Sequence, residues 1–190
     1  MAERGILFSG PMVRALLNCT KSQTRRAVKI THRTPGLAAC LETHGEEPKL
    51  RAAAWLCPYG QVGDRLWVRE TWAVPHSCDH LKPSEIPTGT RVHYAADGAL
   101  GGLLKRPSMF MPRWASRITL EITGVRVERL QDISEADAKA EGCSKPTPVC
   151  EDDDCSYRAD YERLWESING PGSWAANPWV WVLEFKQVPA

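Results

Sequence analysis

From Arg4 to Leu41 the sequence has no aspartate and no glutamate, yet the same stretch carries Arg4, Arg14, Lys21, Arg25, Arg26, Lys29 and Arg33. The whole chain has a formal net charge of only +1. Positive charge is therefore concentrated near one end, which suits an anionic ligand such as a nucleotide or a nucleic-acid backbone. Long apolar runs are also missing, so no membrane partner is expected. The N-terminus lacks the basic-then-apolar pattern of a signal peptide, and a cytoplasmic location is the expectation. The seven cysteines follow no disulfide framework, and in a cytoplasmic protein they are expected to be reduced thiols. There is no internal repeat. At 190 residues, 43% hydrophobic and 25% charged, the composition is that of one soluble domain with insertions and excludes a disordered or coiled-coil chain.

What is present begins with the polar run that ends at Thr20-Lys21-Ser22-Gln23-Thr24-Arg25-Arg26. In a helical or tightly turned segment, Lys21 and Thr24, three apart, would share one face. Gly5 to Phe8 reads as a short strand, and Ser9-Gly10-Pro11 supplies a cap and an early proline for a helix over 11–18. Residues 31–56 read as an excursion with a short helix near 49–55. Gly63-Asp64 marks a turn before the strand Leu66 to Val68, with Glu70 emerging at its far end. Residues 75–112 hold five prolines and read as a large loop with one strand, Thr90 to Ala95. Ser116 to Leu130, around Gly124, predicts two strands or one long bent strand. Ser134 to Asp137 is a capping-box variant for a helix that Gly142 ends. Tyr157, Tyr161, Leu164, Trp165 and Ile168 form the apolar stripe of a second helix over 157–168. Trp179 to Phe185 is a closing strand.

Several strands joined by turns and short helices predict an α+β fold, a small barrel decorated by helices. The motif order resembles the ASCH-domain family of PUA-like β-barrels, especially its phage and prophage members. The resemblance rests on Ile6 to Ser9 with Met12 to Leu17, Thr20 to Arg26, and Gly63 to Thr71. It continues through Ile118 to Leu130, Ile133 to Ala138, Glu141-Gly142 and Trp179 to Phe185, about two thirds of the chain. It implies a mixed β-barrel flanked by short helices, with insertions at about 31–56, 75–112 and 143–156, and a cleft for a modified nucleoside, RNA or DNA. It also implies no cofactor. Compact members are amidohydrolases that deacetylate N4-acetylcytidine with a Lys, a Thr three residues on and a later Glu; Lys21, Thr24 and Glu70 stand in those places.

The chemistry has its own requirements. A threonine hydroxyl is a weak nucleophile until a base takes its proton, so Thr24 needs a neighbour such as neutral Lys21. An unperturbed lysine near pKa ~10.4 is a poor base at neutral pH. Burial, or the like charges of Arg25 and Arg26, would favour the neutral form, whereas a close Glu70 would oppose it. Glu70 is thus assigned to orienting Lys21 or shuttling a proton, or else simply pairs with Lys21 to close the barrel. Arg25, Arg26, Arg69 and Arg113 are candidate ligand cations, and Tyr59, Trp72 and Trp114 candidate stacking platforms. Trp67, Trp165, Trp179 and Trp181 are expected in the core. Cys143, Cys150 and Cys155 with His76, Cys78 and His80 are the residues that zinc would use, but their spacing lacks a second tight pair and no metal is assigned. A non-catalytic nucleic-acid binder and a ribonuclease remain alternative readings.

Overall fold

A computed structural model describes residues 1–29, 35–41, 47–144 and 156–189. In chain order the regular elements are β1 (Glu3–Leu7), α1 (Gly10–Leu17), β2 (Gln23–Ala27), α2 (Pro35–Leu41), α3 (Glu47–Ala54), β3 (Arg65–Arg69), β4 (Trp72–Ala73) and β5 (His93–Tyr94). They continue with β6 (Thr119–Arg129), α4 (Glu135–Ala140), α5 (Tyr157–Asn169) and β7 (Trp179–Val188). Five strands make one mixed sheet in the order β1-β3-β6-β7-β2. The β1–β3 pair is parallel and the others antiparallel. β4 and β5 form a separate two-stranded sheet.

β7 shows how the sequence builds this sheet. Its run Val180-Trp-Val-Leu183 is buried without a break because the strand is covered on both faces. Trp181, Leu183 and Phe185 enter the main core with Ile6, Val68 and Leu120. Val180 and Val182 face the other way, onto α4 and α5, where Tyr161, Trp165 and Trp174 pack. A third core beneath β4 holds Trp72, Val74, Ile86, Met111 and Ala115.

The α+β barrel expected from the sequence is present as this five-stranded sheet, with hydrogen-bonded order open at β1 and β2. A side chain bridges the two edges: Arg26 of β2 donates to the Leu7 carbonyl of β1 at 2.5 Å. Ser116 to Leu130 resolves to one strand, β6, with a register shift between Ile122 and Gly124. Within the insertion at 31–56, residues 31–34 and 42–46 lie outside the described residues, and the described part forms two helices where one short helix was expected, with Leu37, Leu41 and Ala53 of α2 and α3 in the main core. In the 75–112 stretch only His93–Tyr94 pairs as a strand, a shorter one than the Thr90 to Ala95 expected, and His76–Cys78, Ala95–Asp97 and Ser108–Phe110 form short 3-10 turns. Within the 143–156 insertion, residues 145–155 lie outside the described residues.

The largest correction concerns the basic run. Helix α1 ends at Leu17, Cys19 adopts φ 56°, and Gln23–Ala27 is a strand paired along its whole length with β7. Local polarity suggested a turn or helix, but the long apolar β7 needed a partner strand, and that tertiary demand decided the conformation. Side chains consequently alternate. Thr24 and Arg26 lie opposite Leu183 and Trp181, on the main-core side, whereas Gln23 and Arg25 lie opposite Glu184 and Val182, toward α4 and α5.

Candidate functional site

The start of β2 is held by the end of α4. Ser22 N–H donates to the Ala140 carbonyl, and Gly142 turns the chain at φ 87°. A Cβ on Gly142 would lie 2.9 Å from that of Ala15 and 3.2 Å from that of Lys21, so only glycine permits this approach. The contact presents Glu141 to Lys21. Lys21 Nζ donates to the Glu141 carbonyl and to its Oε2, both at 2.7 Å, and both side chains are buried. Lys21 also lies at the C-terminal end of α4, where the helix dipole favours a cation.

Arg25 extends the cluster. Its guanidinium pairs with Glu128 at 2.5 Å, Asp137 at 3.3 Å and Glu141 at 3.4 Å, and it lies 6.0 Å from the Tyr161 ring centroid. Arg126 ties Glu128, Asp137 and Glu184 into the same network. Burial pushes the Asp137 carboxyl up, but the Ser134 hydroxyl and Arg25 outweigh it and leave the pKa lowered. Burial drives the Tyr161 phenol well above its ordinary value, reinforced by the Glu141 charge. The Thr24 hydroxyl makes no hydrogen bond among the described residues. It lines a pocket of about 60 Å³ with Arg25, Glu141 and Tyr161, room for a few water molecules.

Glu70 emerges at the end of β3 as expected and is buried. Its partner is Arg117, through Nε to Oε1 at 2.9 Å and a second bond to Oε2 at 3.1 Å. Arg117 also holds Asp97 and stacks on Tyr94 at 3.9 Å. Burial raises the Glu70 pKa, with Arg117 pulling it back down. The Lys21–Glu70 ion pair considered from the sequence is therefore corrected: Lys21 is paired with Glu141 and Glu70 with Arg117.

Arg26 and Arg69 both reach the β1 edge, and Tyr59 lies near Arg26. Arg26 lies 5.3 Å from the Phe8 ring centroid besides bonding Leu7. Arg69 is the register partner of Leu7, stacks on Trp67 at 4.3 Å and donates to the Met109 carbonyl. Burial raises the Tyr59 pKa, and the Arg26 charge nearby opposes that rise. Arg14, Arg26, Lys29 and Arg69 carry no carboxylate partner among the described residues. From the acid-free stretch, Arg4, Lys21 and Arg25 are neutralised by carboxylates supplied from elsewhere.

Other assignments change. Trp72 is completely buried and meets Trp114 edge-on, so it is third-core packing rather than an exposed stacking platform. Trp114 is half-buried against the same core. Arg113 forms a fork with Glu3, with distances of 3.0 and 2.8 Å, and is committed there. Of the zinc candidates, Cys150 and Cys155 lie outside the described residues, and among the described residues no group of three His, Cys, Asp or Glu is placed to hold a metal. His76 instead pairs with Asp79 at 2.9 Å. Burial, then the charges of Asp160 and Glu141, push the Cys143 thiol up to about 12.

Sequence reasoning missed Glu141, Glu128, Arg126 and Arg117 as parts of these clusters. Glu141-Gly142 carried a signal, a buried-side acid directly before a helix-ending glycine; the other three sit on strands or loops where only the register reveals their partners. A cavity of about 720 Å³ lies elsewhere, between α3 and β6.

No protein-family model and no curated protein matches the sequence. Among solved structures, the chain is similar to an ASCH domain from Lactobacillus crispatus JV V101, at 14% identity and a TM-score of 0.46. It is also similar to a protein from Enterococcus faecalis V583 described by the family model DUF984, at 9% identity and a TM-score of 0.43, and each alignment spans 100% of this chain and 81% of the other.

Proposed function

We propose that this chain is a nucleoside- or nucleic-acid-recognising protein of ASCH type, with its ligand at the β1 edge, where Arg26 bonds the Leu7 carbonyl with Tyr59 nearby and Arg69 lies beside Leu7 in the neighbouring strand. The observation that carries this reading is the division of the cations. Those turned toward α4 are neutralised by Glu141, Glu128 and Asp137, whereas Arg14, Arg26, Lys29 and Arg69 keep charge for an anionic ligand. A polymer contacting them binds less tightly as salt rises, because phosphate neutralisation releases counterions.

A finer reading is hydrolysis of an N4-acylated cytidine or a similar modified base. The unengaged Thr24 hydroxyl beside a small pocket favours it, since a nucleophile must be free to attack. Against this, Lys21 is held by Glu141 and Glu70 by Arg117, so both would have to change partners to reach a reacting atom. Recognition without chemistry is the conclusion preferred here, with a phage or prophage role in regulation, counter-defence or particle assembly.

Two assays separate the readings. Fluorescence anisotropy with single-stranded RNA and DNA should show binding that weakens with salt and is impaired by Arg26→Ala and Arg69→Ala. Incubation with N4-acetylcytidine and other N4-acylated cytosines, followed by chromatography, should return them unchanged. Turnover abolished by Lys21→Ala, Thr24→Ala and Glu70→Ala in folded variants would replace recognition by catalysis, and salt-insensitive or absent binding would remove the recognition reading.

A further inference from the structure

The 720 Å³ cavity lies along a strand edge that no strand of the described structure pairs with. β3 pairs with β6 only at Thr119–Glu121, and the turn before β3 extends this to Ile122, whose N–H donates to the Asp64 carbonyl and whose carbonyl accepts from Gly63. Beyond the bulge at Ile122/Gly124, β6 runs on as far as Arg129 with β7 as its neighbour on one side. The Leu130 N–H donates to the Pro178 carbonyl, so it points toward β7. The two-residue period of a strand then directs Glu128 and Arg126 the same way, and Val127 and Val125 away from it. The outward N–H and carbonyl groups of Val125 and Val127 have no hydrogen-bond partner among the described residues.

Val125 to Glu128 line the cavity on the β6 side, and its other walls have their own character. Leu50 and Ala54 of α3 stand on one side with Trp55, 74% exposed, and Val62, 65% exposed, at the rim. Trp179 closes the far end, covered by Arg129 at 4.3 Å. Asp132 also lines the cavity, and its carboxylate has no ion-pair partner among the described residues. The single cation in the lining, Arg126, is already shared among Glu128, Asp137 and Glu184.

We propose that this edge is a docking site for an extended peptide segment of another protein, which adds a strand to β6 at Val125 and Val127. An added strand alone offers main-chain donors and acceptors at the two-residue spacing that both valines require. Its alternate side chains enter the apolar trough beside Trp55 and Val62, and a lysine or arginine at the end near Asp132 matches the unpaired carboxylate there. The site lies apart from the Arg26–Arg69 edge and does not depend on the nucleic-acid reading.

The test uses the full chain, labelled with 15N, and acetylated heptapeptides with valine at alternate positions, threonine between them, and lysine, glutamine or glutamate as the last residue. The lysine-ended peptide should shift the Val125 and Val127 amides saturably and bind more tightly than the glutamate-ended one. N-methylation of the two peptide amides that face the edge should weaken it about tenfold. Asp132→Lys should reverse the charge preference, and Trp55→Ala, at an exposed position, should weaken binding about fivefold with the fold unchanged. The proposal is overturned if no peptide shifts these amides at millimolar concentration, or if N-methylated peptides bind equally well. It is also overturned if cytidine shifts them and peptides do not, or if they respond to protein concentration alone, which would assign the edge to a second copy.

Discussion

At the scale of single residues, the buried pair of Lys21 and Glu141 dominates. Both side chains are essentially inaccessible, so removing one partner leaves the other charge buried with incomplete compensation. Lys21→Met should cost about 3 to 5 kcal/mol in urea denaturation. Adding Glu141→Gln should recover part of that loss, and a double-mutant cycle reads the coupling directly. Glu70 gives a pH-dependent prediction of definite sign. Its pKa is raised in the fold above the ordinary 4.5, so the folded state holds the proton more tightly than the unfolded chain. Its contribution to stability therefore falls as pH rises from the ordinary value through the raised one, and the penalty is complete above it. The stability difference between Glu70→Gln and the wild type should shift in favour of the variant across that window. A difference that does not change with pH would refute the assigned shift.

At the scale of elements, α4 is the part that positions the buried cluster. The structure shows the full capping box at its N-terminus, with Ser134 and Asp137 bonding each other's backbone. Ser134→Ala should cost about 1 kcal/mol and, by loosening Asp137, disturb Arg25 and Arg126. Gly142→Ala should cost about 1 to 3 kcal/mol, because the residue sits at positive φ and the new methyl meets Ala15 and Lys21. Thermal melts of both variants, with tryptophan fluorescence to follow the Trp165 and Trp174 core, check these values. The capping box and the terminal glycine were legible in the sequence because capping is local chemistry. The strand at Gln23–Ala27 was not, because nothing within Gln-Thr-Arg-Arg-Ala announces that β7 will lie beside it.

At the scale of the whole molecule, the net charge says little and the pairing says much. No helix among the described residues is long and apolar enough to cross a membrane. Arg4, Lys21, Arg25, Arg113, Arg117 and Arg126 are committed to carboxylates, so the concentration of positive charge in the sequence overstates what phosphates can reach. If Arg14, Arg26, Lys29 and Arg69 each neutralise one phosphate of a single strand, the logarithm of the binding constant should fall with the logarithm of salt with a slope of about −3. A slope near zero would show that the ligand is a small nucleoside or that these cations do not touch it.

The sequence by itself determined the elements whose signals are short in range. These include the Leu66 to Val68 strand with Glu70 at its end, the helices opened by Ser9 and Ser134, the helix over α5, and the closing strand from Trp179 to Phe185. It also determined that the N-terminal stretch carries positive charge without acids. Only the tertiary structure decided which charges meet. Lys21 and Glu141 are 120 positions apart, and Glu70 and Arg117 are 47 apart. Such contacts depend on strand register and on the close approach at Gly142, and a one-residue change of register would turn Arg25 away from Glu128 and toward the core. Residue type specifies what a side chain is able to do; the packing of β7 against β2 and β6 specifies the partner with which it does it.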